Sequence, residues 1–196
     1  MKHIFIYCSI TVLILVSTSF TSSAQRTSKG TVHIGVSQMA TAYSIPSGGL
    51  DISAGQYLLN AFWKAGLMAA DYNQKVTSAG SDAATVFDHT HLAAYGDWMW
   101  RLAGSYSRSV SLYAGGGVFL GCNAYELFRD LPDELAAGFP SCEFIYGVKP
   151  SVELECFITR RTALVLGIQS PLTFSSSLPT DLWHLTGSLG IRINLK

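Results

Sequence analysis

The sequence predicts an all-β fold: an eight-stranded antiparallel up-and-down β-barrel of the outer-membrane type. Three observations predict it. First, residues 144–157 put Tyr146, Val148, Pro150, Val152, Leu154 and Cys156 on even positions and Lys149, Ser151, Glu153 and Glu155 on odd ones. A period of two gives a strand one apolar and one charged face, whereas a helix would scatter those carboxylates around its axis. The run is long enough for a tilted strand to cross a bilayer. Second, similar alternation recurs along the chain in eight segments, joined by links that alternate long and short. An even-stranded barrel with both termini on one side produces that order. Third, aromatic residues gather near both ends of the apolar faces, as amphipathic rings do at the two bilayer interfaces.

Taken in order, strand one spans 31–37, with Val32, Ile34 and Val36 on one side. A Gly/Ser/Pro-rich link over 44–49 has no periodicity and reads as a loop. Strand two begins near Ala54, with Tyr57, Leu59, Ala61 and Trp63 on its apolar face and Gln56, Asn60 and Lys64 opposite, and ends at an Ala65-Gly66 turn. Strand three then sets Met68, Ala70, Tyr72 and Val76 against Asp71, Asn73 and Lys75, and the chain loosens over 77–90. Strand four, 91–102, places Leu92, Ala94, Trp98, Trp100 and Leu102 opposite Tyr95, Asp97 and Arg101. Strand five sets Val110, Leu112, Ala114, Val118 and Leu120 opposite Ser109, Ser111 and Tyr113, and its Gly115-Gly116-Gly117 run marks a bend or a close backbone approach. The longest link, 121–143, leads into strand six, a turn at Thr159-Arg160-Arg161, and strand seven with Leu164, Leu166 and Ile168 on one face. After a Ser/Pro loop over 175–180, strand eight sets Leu185, Leu189, Ile191, Ile193 and Leu195 against His184, Thr186, Ser188, Arg192 and Asn194.

Alternation alone leaves open which face is wet, since a lipocalin-like soluble barrel buries the apolar one. The aromatics favour lipid outside. Trp63, Trp98 and Trp100 lie near the short-turn ends and Tyr57, Tyr72, Tyr146 and Trp183 near the long-link ends of the apolar faces. The opposite face carries both signs of charge, including Lys64, Asp71, Lys75 and Arg161. Asp97, Arg101, Lys149, Glu153, Glu155 and Arg192 are expected to form an ionic network that fills the lumen.

The chain begins with a targeting pattern. Lys2 precedes an apolar run over 4–16, and Ser22 and Ala24 are small residues placed for cleavage, so residues 1–24 read as a signal peptide and 25–196 as a single barrel domain. Lys plus Arg equals Asp plus Glu at 13 each, and only 13% of residues are charged. This balance gives no electrostatic reason to expect direct nucleic-acid binding. Three cysteines follow the leader. Cys122 and Cys142 stand at the two ends of the longest link on the parity of the apolar faces, where a disulfide is allowed outside the cytoplasm; the alternative is two small hydrophobic residues. Cys156 reads as packing on the apolar face of its strand.

Catalytic signals are absent. Asp88, His89 and His91 lack a third ligand at a telling spacing, and His184 with Ser188 lacks a nucleophile elbow and an acidic partner fixed by the sequence. There is no Walker loop, dinucleotide fingerprint or zinc-type cysteine pairing, so neither an enzyme, a cofactor nor a metal is expected. The residues after Asn123 include Leu127, Phe128, Leu131, Leu135 and Phe139 among acids, a pattern that suits a short amphipathic helix at a contact surface.

Residues 121–172 also carry a family resemblance. Gly121 before Tyr125-Glu126, the Phe144-Ile145-Tyr146-Gly147 strand, the acidic and apolar strand over 152–157, the Arg161 turn into an apolar strand, and a final glycine-bearing strand over 187–195 together resemble the TraO proteins of conjugative transposons. The chain departs from that pattern at Gly167-Ile168-Gln169 and Leu172-Thr173, and shares little with it before residue 54. The resemblance implies a non-enzymatic outer-membrane component of a conjugal transfer apparatus, in contact with outer-membrane lipid and other conjugal transfer proteins. A stand-alone small outer-membrane barrel for adhesion, protection or small-molecule binding, and a soluble periplasmic barrel, are the alternatives.

Overall fold

A computed structural model of the 196-residue chain describes residues 29–41, 47–77, 84–105, 109–124, 142–174 and 184–195. Among the described residues there are nine strand segments: β1 (Val32–Thr41), β2 (Ser47–Tyr57), β3 (Ala61–Thr77), β4 (Ala84–Gly104), β5 (Val110–Ala124), β6 (Cys142–Phe157), β7 (Thr162–Gln169), β8 (Leu172–Thr173) and β9 (Thr186–Leu195). The two-residue β8 continues β7 along the same neighbour, β6, after Ser170-Pro171, so the segments make eight staves. Every pairing is antiparallel. Successive strands are neighbours, and β9 returns to pair with β1 from Val32↔Leu195 to Thr41↔Thr186, which closes the sheet. Closure removes the unpaired edges that an open sheet would expose.

The side-chain pattern is inside out relative to a soluble barrel. Val32, Ile34 and Val36 on β1 and Leu189, Ile191 and Ile193 on β9 face outward, and Leu67 is 67% exposed. Inside, Lys149 and Glu155 are 0% exposed. The lipocalin-like alternative buries its apolar face and wets its polar one, the reverse of this arrangement.

Two strands depart from the sequence expectation, and one cause explains both. The turn lies at 58–60, closed by the Leu58 amide donating to the Ala61 carbonyl (2.7 Å), and not at Ala65-Gly66; β3 runs straight through those residues. Shifting a turn resets the in/out parity of everything attached to it. Met68 and Ala70 are therefore buried in the lumen and Asp71 is exposed, opposite to expectation. Tyr57 likewise points inward, 1% exposed, and is not part of an outer aromatic belt. The residues read as a loop over 44–49 include the start of β2, where Gly49 pairs with Ala70. β3 and β4 also pair out to Thr77↔Ala84, so most of the loosened stretch 77–90 is strand.

The lumen is filled in layers. Tyr57, Phe62, Met99 and Tyr113 pack at the short-turn end, with the His33 ring 4.9 Å from that of Tyr57. Met39, Met68, Ala70, Ala93, Tyr95, Phe119 and Ile145 pack toward the long-link end. Charged side chains occupy the level between. Their fit depends on glycine: Lys64, Asp97, Gly117 and Lys149 stand side by side in one row across β3, β4, β5 and β6. A Cβ on Gly117 would sit 2.6 Å from Asp97 Oδ1 and collide with the Gly96 carbonyl. The empty slot lets the Lys149 ammonium reach Asp97 across β5. Gly117→Ala is thus expected to destabilise the barrel by about 1–3 kcal/mol, the usual effect of overpacking. Urea unfolding in detergent would check it, with Gly96→Ala as control, because a Cβ at Gly96 meets open space.

Candidate functional site

The charged layer is built from six side chains on four strands, β3, β4, β6 and β9. Arg192 of β9 bridges two carboxylates of β6, with Nη2 at 2.7 Å from Glu153 Oε2 and Nη1 at 3.3 Å from Glu155 Oε1. Lys64 donates to the other oxygen of Glu153 and lies 3.5 Å from Asp97. Asp97 in turn pairs with Lys149 at 3.0 Å. The Tyr57 hydroxyl donates to Glu155, and Arg192 Nη1 stands 3.4 Å from the same hydroxyl oxygen. Lys149 Nζ sits 3.2 Å from the Tyr95 ring centroid, and the Arg192 guanidinium carbon lies 4.6 Å from that of Phe62. The aromatic faces add attraction for cations withdrawn from water.

Three cations, Lys64, Lys149 and Arg192, thus face three anions, Asp97, Glu153 and Glu155. Removing charges from water costs several kcal/mol per ion, and only close pairing with further hydrogen bonds offsets it. The register supplies that pairing, since inward positions alternate on each strand and Glu153 and Glu155 present both carboxylates to the same guanidinium. A cavity of about 20 Å³ lies beside Ser37, Asp51, Ser53, Lys64, Glu153 and Arg192, room for roughly one water molecule. Among the described residues the lumen is filled by side chains.

Of the six residues assigned to the lumen network, Asp97, Lys149, Glu153, Glu155 and Arg192 come together here, joined by Lys64. Arg101 lies at the short-turn rim, where Nη2 donates to the Ser105 carbonyl oxygen at 3.1 Å. Arg161 is exposed in its turn, and the Lys75 side chain lies outside the described residues. Tyr57 and Tyr95 enter the network although neither carries a charge that would have marked it. Their signal was positional: each shares inward parity with a charged neighbour, Tyr95 with Asp97 and Tyr57 with Asp51.

The other candidates stay apart from chemistry. His91 Nδ1 is 3.1 Å from Asn123 Oδ1 in the upper lumen, and the His89 side chain lies outside the described residues. Among the described residues no three His, Cys, Asp or Glu side chains cluster as a metal site. His184 and Ser188 are four residues apart along an extended backbone, about 13 Å at the strand rise, too far to act as a pair. The Cys122 and Cys142 thiols are unbonded and are diagonal neighbours on the β5–β6 ladder, Cys122 opposite Phe144 and Cys142 opposite Ala124.

Outside, two aromatic groups bracket the aliphatic surface. Trp63 and Trp98 are cross-strand partners, and Trp98 and Trp100 meet edge to face at 6.2 Å, toward the short-turn end. Phe144, Tyr146 and Phe174 form a chain of ring contacts at 6.3 and 6.2 Å toward the long-link end. Tyr72 and Trp183, expected in this belt, have side chains outside the described residues. Outward positions of β6 from Phe144 to Leu154 cover about 25 Å along the barrel axis once rise and tilt are combined, the height of a bilayer-spanning apolar band.

Comparison with known proteins agrees with this geometry. The chain is similar to the N-terminal β-barrel domain of Pseudomonas aeruginosa OprF, with 11% identity, a TM-score of 0.52, and coverage of 85% of this chain and 100% of that one. Neisserial surface protein A gives 14% identity, a TM-score of 0.55, and coverage of 86% and 98%. At these identities the likeness shows the fold alone: a closed antiparallel barrel of outer-membrane type. No curated protein matches the sequence. The family model of "Conjugative transposon protein TraO" matches residues 31–195, including the stretch before residue 54. The chain therefore belongs to the TraO family of conjugative transposon proteins.

Proposed function

We propose that this chain is a non-enzymatic outer-membrane component of a conjugative DNA-transfer apparatus, acting as a structural adapter. The observation that carries the reading is the filled lumen. An eight-stranded barrel whose interior is closed by two hydrophobic layers and a neutral ionic layer leaves no path for a nucleic-acid strand. Its contribution to transfer is then made by its surfaces: the aliphatic band fixes it in lipid, and the long-link side is offered to other transfer proteins. Family membership supplies the conjugative context, and the even charge balance supports protein and lipid partners over DNA.

Deletion of the chain in a donor cell, followed by complementation, tests this directly. Transfer frequency should fall by orders of magnitude and return with the wild-type chain. Affinity purification from mildly solubilised envelopes should recover other transfer proteins. Undiminished transfer in the deletion strain, or a solitary barrel under those conditions, would overturn the adapter role.

A further inference from the structure

We propose that Cys122 and Cys142 are an oxidative modification site, joined as a disulfide in the mature protein. The two residues are diagonal neighbours on the β5–β6 ladder: Cys122 faces Phe144, Cys142 faces Ala124, and each is two positions from the other's partner. Both have outward parity, with Leu120 before Cys122 and Phe144 after Cys142 exposed on the same surface. Diagonal partners stand roughly 7–8 Å apart at Cα, with their Cβ atoms closer, so a small inward shift of the two strand ends brings the pair to disulfide span. Among the described residues one other cysteine is present, Cys156. Cys156 lies at the opposite end of β6, across from Val110, some 45 Å from Cys142 at the strand rise.

The site has a place in the fold. Cys122 is two residues before the end of β5 and Cys142 is the first residue of β6, so a bond between them ties the two strand ends that flank residues 125–141. It would hold the roots of that connection together whatever the connection contacts. The inference rests on the outer-membrane placement, where oxidising conditions prevail, and not on the transfer role.

The oxidant is a disulfide, borne by an envelope thiol oxidase of the dithiol class or by a small-molecule disulfide. The Cys122 thiol loses its proton, and its thiolate attacks one sulfur of the donor, forming a mixed disulfide and expelling the other donor sulfur as thiolate. The Cys142 thiolate then attacks the Cys122 sulfur. The Cys122–Cys142 bond forms and the second donor sulfur leaves. Two electrons pass to the donor, which becomes a dithiol, and the two cysteine protons go to solvent or to the departing thiolates.

The test uses the full-length protein from envelopes quenched in acid, denatured and alkylated with and without prior reduction. Mass spectrometry then maps alkylation at each cysteine. Without reductant Cys156 should be labelled and Cys122 and Cys142 should not, and all three of these residues should be labelled after reduction. In Cys122→Ser the Cys142 thiol should become labelled without reductant, and in Cys142→Ser the Cys122 thiol should do so. Full labelling of Cys122 and Cys142 in the unreduced wild-type protein would overturn the proposal. A disulfide from either residue to Cys156 or to another protein would equally overturn it.

Discussion

Arg192→Met is expected to destabilise the folded barrel by about 3–5 kcal/mol, the cost of leaving buried carboxylates without their cation. Among the described residues Arg192 is the one that pairs with both Glu153 and Glu155. Without it Glu153 retains Lys64, while among the described residues Glu155 keeps the Tyr57 hydroxyl. The methionine fills similar space, so the loss comes from charge more than from volume. Adding Glu155→Gln removes the stranded charge, and the double variant should recover about 1 kcal/mol or more relative to additivity, within the range of coupled neighbours. Equilibrium unfolding of the four proteins in detergent or lipid vesicles measures the cycle. Strict additivity, or an Arg192→Met protein as stable as wild type, would show that the layer is hydrated and loosely coupled.

The second large effect is expected on the opposite face. Ile191→Arg should cost about 2–4 kcal/mol in a bilayer, the penalty for a lipid-facing cation near the midplane. Ile191 lies midway along the outward run of β9, level with Val36 on β1 and Ile52 on β2, all three about half exposed. The same substitution at Leu195, at the end of that run, should cost less than about 1 kcal/mol because the side chain can reach the interface. Unfolding in vesicles compares the two variants. Equal, small effects at both positions would mean that this surface faces water.

Legibility in the sequence followed charge. On β6 the inward face is marked by Lys149, Glu153 and Glu155, so the parity of a whole strand could be read and the structure keeps it. β9 is similarly marked by Arg192 and Asn194. The run Ala65-Gly66-Leu67-Met68-Ala69-Ala70 has no polar residue to set its phase. Glycine punctuates strands, so a turn at Gly66 is the expectation, and it breaks the count that begins at inward Lys64 and reverses every position beyond it. Counted unbroken from Lys64, residues 66, 68 and 70 fall inside, as observed. Gly48 and Gly49 hid the beginning of β2 for a related reason: glycine carries no side chain to alternate.

The candidate site divides along the same line. Ionic partners could be grouped from sequence because opposite charges on inward positions must find each other in a dry lumen. Which pairs form was not legible, since that depends on the stagger that puts Lys64, Asp97, Gly117 and Lys149 in one row. The inward placement of Tyr57 has no mark in the sequence, because an amphipathic ring suits a membrane interface as well as a hydrogen-bonded interior. Its contact with Glu155, 98 residues away in sequence, exists only once the sheet closes.

The most direct test of the central claim, a lipid-embedded barrel with a filled interior, is heat-modifiability of the protein in fractionated envelopes. The account predicts an outer-membrane species that migrates compactly on gels until boiled and then at its full length. A soluble periplasmic species whose mobility is unchanged by boiling would contradict it, because the outward aliphatic band would then have no lipid to face.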